Sequence, residues 1–101
     1  MSEYENMLAG ELYDPTDAEL KAGRETARAL LFALQQLPPS AKEQRQQLWQ
    51  QLLGSAKGEP AIHLPFHCDY GRNIHLGARF YANAGGTILD VATVTIGDDV
   101  L

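Results

Sequence analysis

The side chains able to do chemistry cluster between His63 and Asp90. His63 and His67 stand four apart, a spacing that suits a metal when both ligands share one helix face. Pro65 and the alternation of Ile62, Leu64 and Phe66 with the two histidines argue for extended chain instead. They therefore read as solvent-facing strand residues, and no metal site is expected. His75 lies between Ile74 and Leu76 and faces away from both, a surface or core-edge position. Cys68 has no adjacent Lys or Arg to favour a thiolate and reads as a buried structural thiol. Ala84-Gly85-Gly86 lacks the Lys-Ser/Thr and the helix of a phosphate loop. Asp69, Asn83 and Asp90 remain, short polar groups on turns of an otherwise apolar stretch. They either serve the turns, bonding their own backbone, or bind a ligand; residue types leave both open.

The stretch 66–101 that must position these groups is nearly all strand and tight turn. Leu76-Gly77 and Ile96-Gly97 repeat one element, each with a branched apolar residue two before the pair, Ile74 and Val94. Counting in sixes from Leu76 meets Ala82, Ile88, Val94 and Val100, all apolar. A six-residue apolar period with recurrent Gly suggests a parallel β-helix whose rungs stack to bury their faces. An antiparallel sandwich also offers short strands and Gly turns. The two Leu/Ile-Gly pairs are 20 residues apart rather than a multiple of six, which predicts a two-residue bulge or corner insertion between Asn83 and Asp90.

Ahead of the strands the pattern is helical. Tyr4, Met7 and Leu8 share one face of a short helix over 2–8, with Gly10 to end it. Thr16 with Glu19 has the form of a capping box, followed by a stripe of Leu20, Ala27, Leu30, Leu31, Leu34 and Leu37 that Pro38-Pro39 stops. Ser40 with Glu43 predicts a second box, before Leu48, Trp49, Leu52 and Leu53. These helices, with Phe32 among their apolar residues, bury little by themselves and should lean on the β region or on a neighbouring subunit. Residues 55–60 read as a polar connector, and 62–66 as an edge strand entering the coil.

CDYGRNIHLG, FYANAGGTILD and VTIGDD resemble the opening coil of the hexapeptide-repeat sugar O-acetyltransferases of the maltose and galactoside group. MLAGELYDPTDAEL resembles that group's helical leader. The resemblance implies an α+β chain: a leader over 1–58, then over 59–101 the first coils of a left-handed parallel β-helix. It implies acyl transfer from acetyl-CoA to a sugar hydroxyl, in a homotrimer with the acceptor site between neighbours. Asp14, Asp69 and Asn83 match acceptor-binding positions, and Tyr81 could pack on the sugar face. Asp90 is close to an acidic acceptor-site position, with Val91 where some members carry a second Asp. The catalytic histidine and the CoA slot of the family lie in later coils. None of His63, His67 or His75 matches that histidine, so the expectation is a truncated chain, inactive alone.

A net charge of −5 provides no electrostatic footprint for nucleic acid or an anionic membrane. One cysteine cannot form an internal disulfide, which suits a reducing compartment. No apolar run approaches the roughly 20 residues of a membrane span. Two other functions fit the residues: a non-catalytic β-helix stub that assembles with a relative, and a small monomeric carbohydrate-binding domain with antiparallel strands.

Overall fold

Three helices precede seven short strands in the computed structural model, which describes residues 2–100. Helix α1, Glu3–Leu8, starts at Ser2, whose Oγ accepts the Glu5 amide at 3.0 Å. Glu3 and Glu5 place negative charge at the positive end of its dipole. Met7 is buried, with Tyr4 and Leu8 packed beside it, as the spacing predicts.

Helix α2 is Ala18–Gln36 and α3 is Lys42–Leu52. Neither cap is the one expected. Thr16 is already engaged: its amide and hydroxyl both donate to Asp14 Oδ1, at 2.9 and 2.6 Å. Asp17 therefore caps α2, accepting the Glu19 amide at 3.0 Å. At α3 the cap residue is Ala41, with no side-chain bond, and Ser40 lies one residue too early, its backbone carbonyl accepting the Lys42 amide at 2.9 Å. Leu37, preceding a proline, is extended and ends α2.

The strands form a parallel coil with three faces. β1, Ser55–Ala56, pairs with β4, Ile74–Leu76, which pairs with β7, Val94–Ile96. β2, Ala61–Ile62, pairs with β5, Tyr81–Ala82; β3, Phe66–Cys68, pairs with β6, Gly86–Ile88. Every pair is parallel, which removes the antiparallel reading. Ser55–Ala56 belongs to the first coil, not to a connector. The expected edge strand over 62–66 is broken, since 63–65 turns a corner from β2 to β3 and carries a cis Leu64–Pro65 bond.

The repeat is 20 residues on all three faces: Ser55 pairs with His75, Ala61 with Tyr81, Phe66 with Gly86, and Ile74 with Val94. The count in sixes thus fails across a coil, because Leu76 stacks on Ile96 and not on Val94. The surplus sits in a five-residue corner at 69–73, repeated at 89–93, so it overlaps the expected 83–90 only at Leu89 and Asp90. Leu101, expected inside a strand, lies outside the described residues.

One core joins the two layers. Ala27, Leu31 and Leu34 of α2 and Trp49, Leu52 and Leu53 of α3 and its end pack with Ile62, Phe66, Ile74, Leu76 and Phe80. Trp49 meets Phe66 edge-on, 5.7 Å between ring centres. Burying each large apolar side chain stabilises by about 1.5–3 kcal/mol, so the leader depends on the coil as expected. Phe32 is the exception, 64% exposed on the outer side of α2. Ile88, Val94 and Ile96 are half-buried where Ile74 and Leu76 are fully covered.

Candidate functional site

The long corner is built around one carboxylate. Asp90 is 0% exposed, and its Oδ1 accepts the amides of Tyr70 at 2.9 Å and Asp69 at 3.1 Å. Its Oδ2 accepts the Asn73 amide at 3.3 Å, while Asn73 Nδ2 donates to the Asp90 carbonyl at 2.8 Å. Hydrogen bonds to a charged acceptor contribute roughly 1.5–3 kcal/mol each, and they offset the cost of burying the charge. Asp90 lies on the second coil and its donors on the first, so this side chain ties two successive corners together.

The leader closes the same corner. The Tyr4 hydroxyl donates to Asn73 Oδ1, and the Arg72 guanidinium lies 4.0 Å from the Tyr4 ring centre. Tyr70 is buried against Gly23 of α2, where a Cβ would come within 3.0 Å of its ring. Arg24 Nη1 donates to the Tyr70 hydroxyl at 3.0 Å and Nη2 to the Pro15 carbonyl at 2.7 Å. The Asp14 amide in turn donates to Glu3 Oε2 at 2.8 Å. Asp14, Asp69 and Asp90 are thereby linked through one set of leader contacts. The site roles of Arg24, Tyr70, Asn73 and Tyr4 escaped the sequence reading, because Arg24 meets Tyr70 across 46 residues and Tyr4 meets Asn73 across 69, with no local spacing to show it.

The acids differ in electrostatics. Burial and the nearby Asp90 push the half-buried Asp69 carboxyl above the usual range, with Arg24 opposing them. Asp14 is exposed, and the Thr16 hydroxyl and amide hold it below that range. Burial, with Asp90 and Asp69 nearby, pushes the Cys68 thiol up to about 12, in keeping with a structural role.

Tyr81, on β5, and Asn83, on the short corner 83–85, sit elsewhere, with that corner at the other end of β6 from Asp90. Three strand residues separate the two corners, about 10 Å of chain. Tyr81 meets His63 edge-on at 5.2 Å, and Asn83 is exposed. His63 and His67 face solvent, and His75 Nδ1 lies 2.8 Å from Ser55 Oγ. Among the described residues no cluster of His, Cys, Asp and Glu could hold a metal, and no helix is long and apolar enough to cross a membrane.

A three-faced parallel coil with recurrent Leu/Ile-Gly corners, closed on one side by a helical leader, defines a hexapeptide-type β-helix chain with its cap. The chain belongs to the family described as the maltose acetyltransferase hexapeptide capping motif, which matches residues 6–58. It is similar to nodulation protein L of Rhizobium meliloti, 44% identical over 94 residues, covering 93% of this chain and 51% of that protein. Among solved structures it is similar to a maltose O-acetyltransferase from Clostridium difficile 630, with TM-score 0.94 and 35% identity over 98% of this chain and 53% of that one. It is also similar to a galactoside acetyltransferase in complex with coenzyme A, with TM-score 0.89 and 34% identity over 100% of this chain and 50% of that one. The chain spans about half the length of the curated relatives it matches.

Proposed function

We propose that this chain is the N-terminal, acceptor-side portion of an acetyl-CoA-dependent sugar O-acetyltransferase. A helical leader ending ahead of Ser55, rather than at 58, closes the site, and Ser55–Ala56 opens a coil that we take as left-handed. One observation carries the reading: the half-buried Asp69, its backbone fixed at the long corner by the Asp90 carboxylate, next to Tyr70, whose hydroxyl Arg24 ties to the loop of Asp14. Two carboxylates on one leader–coil seam suit a ligand rich in hydroxyl donors. The family membership and the coenzyme A complex of a structural neighbour support acetyl-CoA as co-substrate.

In the reaction, the sugar hydroxyl oxygen bonds to the thioester carbonyl carbon and the carbon–sulfur bond breaks. The hydroxyl proton passes to a general base and then to the departing thiolate. Asp14 and Asp69 hold neighbouring hydroxyls, Asn83 both donates and accepts, and the Tyr81 ring backs a sugar face. The separation of Asn83 from Asp69 within one chain supports a homotrimer in which the short corner of one copy faces the long corner of the next. The work belongs in the cytoplasm, where Cys68 stays a thiol.

The test uses the full-length protein with acetyl-CoA and either maltose or methyl β-galactoside. The expected result is an O-acetylated sugar by mass spectrometry and a trimer by sedimentation. Hydrolysis of acetyl-CoA without sugar acetylation, or a monomer at high concentration, would contradict it.

A further inference from the structure

We propose that Asp90 does not touch the sugar but is a positioning residue, which together with Asn73 and Tyr4 holds Asp69 in its binding orientation. The inference rests on the reading above that Asp69 binds the acceptor. The geometry leaves Asp90 no oxygen to offer: it is fully covered, Oδ1 takes two backbone amides and Oδ2 a third. One of those amides belongs to Asp69 itself, so the direction in which the Asp69 side chain leaves the coil is set by a bond to Asp90. Asn73 holds the Asp90 backbone from the other side and is itself held by the Tyr4 hydroxyl of α1. The chain of bonds from α1 to Asp69 therefore runs Tyr4, Asn73, Asp90, Asp69. A leader helix that carries no acceptor-binding residue thus sets the geometry of one on the coil.

Asp90 also acts on Asp69 through charge. Asp69 faces Asp90 across the corner, Arg24 from α2, and the Cys68 thiol beside it. Asp90 pushes the Asp69 carboxyl up and Arg24 pulls it down, so neutralising Asp90 should lower the pH at which Asp69 protonates. A variant whose only fault was a weakened coil would leave the acid limb where it is, so its movement reports the Asp90–Asp69 juxtaposition itself.

The experiment compares Asp90→Asn, Tyr4→Phe and Asp69→Asn in the full-length protein, with maltose and methyl β-galactoside as acceptors. Asp90→Asn keeps the volume but turns an amide donor toward the Asn73 N–H. It should raise the acceptor KM roughly 10-fold, since small misplacements of a binding group are costly. The acetyl-CoA KM should stay within about twofold. The acid limb of kcat/KM for the acceptor should move to lower pH. Tyr4→Phe, which removes one hydroxyl at the far end of the chain of bonds, should raise the acceptor KM about threefold by the same route. If Asp90→Asn fails to fold, Tyr4→Phe carries the test, and an unchanged acceptor KM there overturns the proposal. An unmoved acid limb in Asp90→Asn, or an equal rise in both KM values, overturns it as well. An acceptor KM unaffected by Asp69→Asn would instead remove the acceptor role of Asp69, a separate failure.

Discussion

The β3/β6 face ends in two corners that solve the same turn differently. At the long corner the chain spends five residues, buries a carboxylate and recruits Tyr4 of α1 and Arg24 of α2 to brace the turn. At the short corner three residues suffice, the Gly85 amide bonds the Pro65 carbonyl at 2.7 Å, and Asn83, Ala84 and Gly85 are exposed. A braced corner fixes where its side chains point from within the chain. An open corner fixes only the backbone, and its side chains must find their geometry against something else. The contrast separates a corner whose geometry the chain sets from within from one whose side chains it leaves exposed.

Glycine substitution separates the corners most sharply. Gly71 and Gly85 both have positive φ, 79° and 90°. A Cβ on Gly71 would lie 2.5 Å from Leu52 Cδ1 and 2.6 Å from the Leu52 carbonyl oxygen, whereas nothing lies within 4 Å at Gly85. Gly71→Ala should destabilise by about 3–5 kcal/mol, overpacking added to left-handed strain, and Gly85→Ala by about 1–2 kcal/mol from strain alone. Chemical denaturation of both variants checks this, and equal losses would erase the distinction.

Removing the polar centre of each corner comes next in size. Asp90→Ala orphans three amides, two of them buried, and should cost about 3 kcal/mol or more. Asn83→Ala should stay within about 0.5 kcal/mol, as surface changes usually do. A melting temperature that falls as far for Asn83→Ala would mean the short corner is braced after all.

The smallest effects test the helix starts. Asp17→Ala should cost about 1 kcal/mol, because it removes the bond to the Glu19 amide. Ser40→Ala should change stability by less than about 0.5 kcal/mol, since its side chain caps nothing. Comparable losses in the two would restore the capping box at α3.

These cap positions also mark how far the sequence is legible. Helix existence, the face of Met7 and the Leu stripe were readable, because each is a local periodicity, whereas Leu76 and Ile96 were seen as one repeated element but their stacking was missed by the count in sixes. Caps were misread where two side chains compete for one job, as Asp14 does by engaging Thr16. The 20-residue coil was visible in the spacing of the Gly pairs, but its surplus was misplaced. Nothing local tells that Asp90 turns inward to amides 17 to 21 residues back. Arg24 and Tyr4 were invisible for the same reason: their roles exist only once the leader lies on the coil.

The most direct test of the account is carboxylate NMR of Asp69 and Asp14 across pH, with and without maltose. Asp69 should titrate above the usual carboxylate range and Asp14 below it. As pH falls, Asp69 therefore loses its charge first, and maltose affinity should fall through the Asp69 transition while Asp14 is still ionised. Added maltose should also pull the Asp69 transition to lower pH, because the bound sugar favours the ionised acceptor. An Asp69 transition indifferent to maltose and methyl β-galactoside alike, with Asp69→Asn binding both as well as the parent, would contradict the claim that the braced corner is the sugar site.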